Sequence, residues 1–216
     1  MQPAGKVSLD CVDAAELAVD GEWWRIYEDS FPPAEREPAE VVLRSLRASV
    51  GLAFRARQDG VTVGIATTHL LLRPAAVFVV YLALDRARRN AGLGGTLLEY
   101  AWQTSARRLE EQHSPPLGLV WEVDDPTAAV GQAEDLLREG RISFFRRHGG
   151  VELPRPYRQP PVNGTEPVPM RLMFRGSAVP DALGIEALVR AIYFEKYGAV
   201  NQVPEEILQD LLWGSA

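Results

Sequence analysis

The 216-residue chain has one cysteine, Cys11, so no disulfide forms within it and no cysteine-rich metal site can be built. Histidine is almost as scarce. His69, His113 and His148 are the only three, and no pair of them has metal-ligand spacing, so no metal is expected. No apolar run is long enough to cross a bilayer, since the longest, Ala75 to Leu84, is about half of what a spanning helix needs. The opening segment, Met1 to Asp10, lacks the apolar stretch of a secretion signal. Positive charge is also short: 23 basic against 29 acidic residues leave a net charge of −6. A general nucleic-acid binder needs a basic surface to neutralise phosphates, and this balance argues against one. The expectation is a cytoplasmic protein with no membrane and no nucleic-acid partner.

What is present suits a globular chain, 46% hydrophobic and 24% charged, long enough for one large domain with an appendage. Val7 to Val12 reads as a strand. Ala14 to Ser30 has helical spacing and stops at Phe31-Pro32-Pro33, because a residue before proline disfavours helix. Pro38 opens a second helix that reaches about Ser49. Two strands, Leu52 to Arg57 and Val61 to Leu72, flank Asp59-Gly60, a hairpin signal. Ala75 to Leu84 is almost continuously apolar, as a central strand covered on both faces would be. Gly92 to Glu111 is the clearest amphipathic helix. Leu117 to Val123 is a further buried strand, and Ala133 to Arg147 a helix that Gly140 divides or leaves whole. Residues 154–169 hold six prolines and read as a connector. Met170 to Phe174 is a last strand, followed by helices at Leu183 to Tyr197 and Glu205 to Trp213. Three strands in succession argue against a purely parallel, doubly wound sheet.

The segment richest in chemistry runs from Leu84 to Gly94. A buried strand ends, Arg86, Arg88 and Arg89 follow, and Gly92-Leu93-Gly94 opens a helix. First-turn N–H groups have no partner inside a helix and sit at the positive end of its dipole, so such a turn cradles phosphate. The plainer reading is a tight turn in which glycine serves conformation alone. The basic loop, the double glycine and the long helix together favour phosphate. No lysine stands where a P-loop needs one, and Leu97 occupies the third glycine position of a dinucleotide fingerprint.

Arg89-x-x-Gly92-x-Gly94 after an apolar strand resembles the pyrophosphate motif of the GNAT N-acetyltransferase superfamily. Ser143 to Gly149, with the pair Phe144-Phe145, resembles that superfamily's later signature, and Tyr27 to Pro32 resembles its substrate-side first helix and exit. The resemblance covers residues 7–175. It implies an α/β (α+β) fold, a mixed, mostly antiparallel central sheet splayed between two strands and flanked by helices. It also implies acetyl-CoA, or another short acyl-CoA, as co-substrate and a small-molecule or peptide amine as acceptor. The backbone of Leu82, Ala83 and Leu84 would meet the pantetheine arm. The amides of Arg89, Asn90, Ala91, Gly92, Leu93 and Gly94, extending to Gly95 and Thr96, would hold the pyrophosphate.

For the base, Glu122 stands in the otherwise apolar run Val120-Trp121-Glu122-Val123. An inward carboxylate there would have a raised pKa, and an outward one would be an ordinary surface charge. Glu28 and Glu35 are lesser candidates on the acceptor side. Many relatives have a tyrosine in the aromatic pair as proton donor, where this chain has Phe145; Tyr157 or Tyr81 would substitute, or the thiolate would leave without an acid. His69 reads as a structural histidine, His113 as a surface residue and His148 as a helix-end residue. Trp23, Trp24 and Trp102 read as core. Residues 1–176 form the expected domain and 177–216 a helical extension packing on it or on a partner subunit in a homodimer. Two further classes stay open: a non-catalytic acyl-CoA sensor, and an unrelated nucleotide-binding protein that would take ATP or NAD.

Overall fold

Asp59 and Gly60 both adopt positive φ, 53° and 86°, which a two-residue hairpin turn matched to the twist of its strands requires. In the computed structural model, which describes residues 6–89, 92–112, 115–128, 131–164 and 166–214, this turn joins β2 (Gly51–Gln58) to β3 (Val61–Leu72). β1 (Val7–Val12) pairs antiparallel with β2, and β4 (Ala75–Leu84) with β3. β5 (Gly118–Asp124) lies parallel to β4. β8 (Val168–Gly176) runs antiparallel to β5 and also pairs with β6 (Val151–Glu152) and β7 (Tyr157–Gln159). The order is β1-β2-β3-β4-β5-β8-β6, a mixed and mostly antiparallel sheet.

Two irregularities shape the centre of the sheet. Tyr81 faces Thr67 while Val79 faces Thr68, so Val80 is an extra residue, a β-bulge. The bulge puts Val80 and Tyr81 on one face. The parallel ladder of β4 and β5 then covers three positions, Val77–Leu119, Phe78–Val120 and Val79–Trp121. Beyond them Val80–Leu84 and Glu122–Asp124 run on without pairing to each other, and a gap opens.

Helices cover both faces. On one, α1 (Ala14–Val19), α2 (Gly21–Ser30) and α3 (Ala39–Arg47) bury Leu17, Trp23, Ile26, Tyr27 and Val42 against Ile65, Tyr81 and Ala83. The same face carries α6 (Ala182–Ala191), a π-helix (Ile192–Gly198) and α7 (Glu205–Trp213). Their Leu188, Ile192, Tyr193, Tyr197 and Leu208 pack with Phe78, Val120, Leu172 and Phe174, so this extension covers the chain's own sheet. On the opposite face α4 (Leu93–Gln112) and α5 (Gln132–Arg147) pack Leu98, Leu109 and Ile142 against Val77, Val79, Leu119 and Trp121. Among the described residues, no helix is long and apolar enough to cross a membrane.

Several elements differ from the sequence reading. The helix expected over 14–30 is two helices. Asp13 caps α1 in a reciprocal box with Glu16, and Asp20 starts α2 afresh by accepting from the Trp23 N–H at 3.0 Å. Asp20 also accepts from buried Arg55 at 3.0 Å, which holds the break in place. Gly140 leaves α5 whole. The proline-rich connector contributes β7, and the helix expected to run to Tyr197 widens to π spacing at Ile192.

Leu188 is fully buried between α6 and the sheet. Leu188→Ala should therefore lower the unfolding free energy by about 3 kcal/mol in a urea titration, and a loss below about 1 kcal/mol would show that the extension is only loosely attached.

Candidate functional site

At the end of β4 the Asp85 carboxylate accepts from the Ala87 N–H at 3.0 Å and starts a single 3-10 turn, Arg86–Arg88. Arg25 of α2 donates to the same carboxylate at 2.7 Å. Gly92 has φ +78°, with open space where a side chain would stand, and α4 begins at the next residue. The first helical bond runs from the Thr96 N–H to the Gly92 carbonyl at 3.3 Å. Helix geometry directs the earlier amides of this turn past the helix end. The two following glycines answer a different demand. A Cβ on Gly94 would lie 3.3 Å from Phe144 Cε2, and one on Gly95 would lie 2.2 Å from His148 Cε1. They let α5 pack on the first turn of α4, while Gly92 supplies the backbone conformation.

Arg89 folds back so that its Nε donates to the Leu84 carbonyl at 3.3 Å. Its pKa is held below the usual arginine range by partial burial and by the neighbouring charges of Arg86 and Arg141, with Asp85 as partial offset. Guanidinium groups crowded in this way favour an anion between them.

The opposite arm of the gap carries Glu122. Val120 belongs to the core beneath the C-terminal helices, and alternation along β5 puts Glu122 on that same face. Its Oε1 accepts from the Tyr157 hydroxyl in a short hydrogen bond and from the Tyr197 hydroxyl at 2.9 Å. Its Oε2 accepts from Gln159 Nε2 at 2.8 Å and from Tyr197 at 2.8 Å. Burial raises the Glu122 pKa, while these donors and nearby Lys196 pull it back. The Tyr157 and Tyr197 hydroxyls are pushed well above the usual phenol range, first by burial and then by the Glu122 charge.

The third wall is the loop between α2 and α3. Glu35 is half-buried there, and its pKa rises to about 7, mainly through burial and then through Asp124, with a smaller push from Glu122; Arg141 and Arg138 oppose the shift. Arg141 pairs with Asp124 at the end of β5. Tyr81 is buried, its hydroxyl donating to the Glu35 carbonyl and accepting from the Glu37 N–H, both at 2.9 Å. The Glu37 carboxylate takes a short, buried bond from Lys196 and a second bond from Asn201 Nδ2 at 2.7 Å. Asn163, in the segment after β7, donates to the Pro33 carbonyl at 3.0 Å and ties the proline-rich segment to this loop.

The structure thus gathers Glu122, Tyr157, Tyr81 and Glu35 around the gap, with Leu82, Ala83 and Leu84 on its β4 arm. Arg89, Gly92, Leu93, Gly94, Gly95 and Thr96 sit at one end of it. Asn90 and Ala91 lie outside the described residues, as does His113. Glu28 is exposed on α2, and its carbonyl accepts from Arg36 at 3.4 Å. His69 is buried, with its pKa lowered to about 3 by burial and by Lys196. Phe145 stacks on Trp121 at 4.6 Å, on the α4–α5 face. Among the described residues no three His, Cys, Asp or Glu side chains form a metal-binding group. Sequence reasoning missed Tyr197, Gln159, Lys196 and Glu37. Two signals were present: Gln159 follows Tyr157 by two positions in an extended segment, and Lys196 interrupts an apolar helical face.

No family model and no curated protein sequence matches the chain. Solved structures match it in fold. A GNAT-family protein from Bacteroides thetaiotaomicron aligns over 91% of this chain and 99% of its own, at 23% identity and a TM-score of 0.67. The yncA protein of Salmonella typhimurium, seen with its cofactor acetyl-CoA, aligns over 82% and 99%, at 17% identity and a TM-score of 0.53. Arabidopsis thaliana NAA60, in complex with a bisubstrate analogue, aligns over 79% and 98%, at 14% identity and a TM-score of 0.57. The chain has the fold these proteins share.

Two outcomes test this geometry. Gly95→Ala should destabilise the chain by about 1–3 kcal/mol through overpacking against His148, and a Gly95→Ala/His148→Ala double variant should recover most of that loss in a double-mutant cycle. The folded chain binds the Glu35 proton more tightly than the unfolded chain does, so this group makes stability fall as pH rises from about 4.5 to about 7. Urea midpoints for Glu35→Gln should lack that part of the slope.

Proposed function

We propose that this chain is an acyl-CoA-dependent N-acetyltransferase that moves an acetyl or other short acyl group to a primary amine by direct attack in a ternary complex. One observation supports it above the rest: the gap between the unpaired ends of β4 and β5 has a cation-lined helix start at one end and a buried carboxylate, Glu122, on its wall.

The residues present fit an acyl-CoA. Gly92, in its left-handed conformation with open space around it, and the first-turn amides of α4 would hold the pyrophosphate, with Arg89 beside them. Leu82, Ala83 and Leu84 lie beyond the β4–β5 ladder, so backbone groups on that edge would meet the pantetheine amides. The co-substrate supplies a thioester carbonyl, and a backbone N–H from the same stretch would donate to the oxygen that gains charge.

The amine arrives as an ammonium, with a pKa of about 10 in water, and must lose a proton to attack. Glu35 and Glu122, whose pKa values are both raised by burial, would lie on the acceptor side. Water takes that first proton, and Glu122, its basicity raised by burial, takes the second one, which the nitrogen sheds as the C–N bond forms. As the C–N bond forms and the C–S bond breaks, the sulfur gains the electron pair and needs a proton. Tyr157 is bonded to Glu122; it gives its proton to sulfur and takes the one on Glu122. The net result is one ammonium proton released to water and one proton moved from nitrogen to sulfur, with both side chains restored, and no tyrosine is needed at Phe145.

Isothermal titration of acetyl-CoA into the wild-type protein should give micromolar binding that an Arg89→Ala/Gly94→Glu variant loses. In a screen of primary alkylamines with acetyl-CoA, Glu122→Gln should lower kcat by about a hundredfold or more without loss of acetyl-CoA binding. Absence of binding to folded wild type would overturn the cofactor assignment, and binding without product in any form would identify an acyl-CoA sensor instead.

A further inference from the structure

The C-terminal extension holds two features that stability alone does not explain. Lys196 and Glu37 form an ion pair with side chains 1% and 3% exposed. Removing both charges from water costs so much that apolar replacements of such pairs are often neutral or stabilising. Lys196 also donates to Asn201 Oδ1 at 2.8 Å, and Asn201 returns a bond to Glu37 at 2.7 Å, so the three side chains form one ring of bonds. The second feature is the π-helix itself, seven residues from Ile192 to Gly198. Such stretches are rare and concentrate at functional sites. Its Lys196 and Tyr197 point in opposite chemical directions. Tyr197 reaches both oxygens of Glu122, at 2.9 and 2.8 Å, while Lys196 reaches the loop that carries Glu35 and Glu37.

We infer that the π-helix is part of the catalytic apparatus: Tyr197 is a positioning residue that holds Glu122 in place as a carboxylate, and the Lys196–Glu37 pair fastens Tyr197 there. The inference rests on the proposed role of Glu122 as base. The groups that face Glu122 are Tyr157 and Gln159 from β7, Tyr193, Lys196 and Tyr197 from the π-helix, and Glu35 from the loop. Of these, Tyr197 alone bonds both carboxylate oxygens, so it fixes the plane of the group as well as its charge state. Gln159 Nε2 lies 3.3 Å from the Tyr197 hydroxyl as well as bonding Glu122, which makes the three groups one unit. The loop is held beside them, because the Tyr81 hydroxyl accepts from the Glu37 backbone N–H and donates to the Glu35 backbone carbonyl. A segment 75 residues after Glu122 in sequence thereby sets how readily that carboxylate takes a proton.

Tyr197→Phe keeps the ring and removes one donor to a buried carboxylate, so Glu122 should hold its proton to higher pH. In the protein carrying 13C-carboxyl glutamate, the resonance absent from Glu122→Gln identifies Glu122. Its midpoint should rise by roughly one pH unit in Tyr197→Phe. The Glu37→Gln/Lys196→Met double variant, which removes both buried charges, should shift it in the same direction. Tyr193→Phe is the control, because the Tyr193 hydroxyl bonds the Arg158 carbonyl at 2.8 Å and not Glu122. With acetyl-CoA and alkylamines, kcat should fall about tenfold in Tyr197→Phe with KM for acetyl-CoA unchanged. A midpoint that stays put in folded Tyr197→Phe and in the double variant would overturn the inference. Glu122→Gln with wild-type turnover would instead overturn the base assignment.

Discussion

The site depends on where β4 and β5 stop pairing. Parallel neighbours ordinarily satisfy each other's backbone along their whole length, and here the ladder ends after three positions. The bulge at Val80 falls at that point, turning Val80 and Tyr81 to one face and disturbing the pairing to β3 as well. Backbone polar groups left without a strand partner need another partner or water. The amides of the proposed co-substrate's arm would be one such partner.

The two faces of the sheet divide the labour around that gap. The α4–α5 face is packed like an ordinary core: Trp121 stacks on Phe145, and His148 lies 4.6 Å from Phe144. The other face concentrates hydroxyls, carboxylates and one ammonium among its apolar residues. Burying them is unfavourable unless they are bonded, and Tyr81, Tyr157, Tyr197, Glu122, Glu37 and Lys196 are bonded to one another or to backbone, while the Thr67 hydroxyl and Gln159 Oε1 have no partner among the described residues. The C-terminal helices provide much of the cover, so the fold invests its last elements in keeping water from the carboxylate.

What the sequence made legible follows from how local each signal is. The hairpin at Asp59-Gly60, the apolar β4 and the basic loop before Gly92 are each written in neighbouring residues. Glu122 was visible for the same reason, a carboxylate in an apolar alternation, although its direction depended on the helices that cover it. The pairing of Glu37 with Lys196 spans 159 positions, and no local pattern announces it. The break at Asp20 depends on Arg55, 35 positions away in β2. Gly94 and Gly95 were legible as glycines near a phosphate cradle, yet the side chains that require them, Phe144 in α5 and His148 just after it, come some fifty residues later.

Charge is the remaining organising feature. The protein is acidic overall, with a net charge of −6, but the gap is polarised. Arg86, Arg89 and Arg141 crowd one end, and Glu35, Asp124 and Glu122 the other. Arg141 is the seam, since it pairs with Asp124 and acts on both Arg89 and Glu35. Fields of this kind act on orientation more than on affinity. A co-substrate whose phosphates lie far from its reactive carbon and an acceptor that arrives as a cation would each be drawn to opposite ends, and would meet between the arms of the gap. Exchanging the two would set phosphates against carboxylates and an ammonium against guanidiniums, so in the proposed reaction this polarity would orient both substrates.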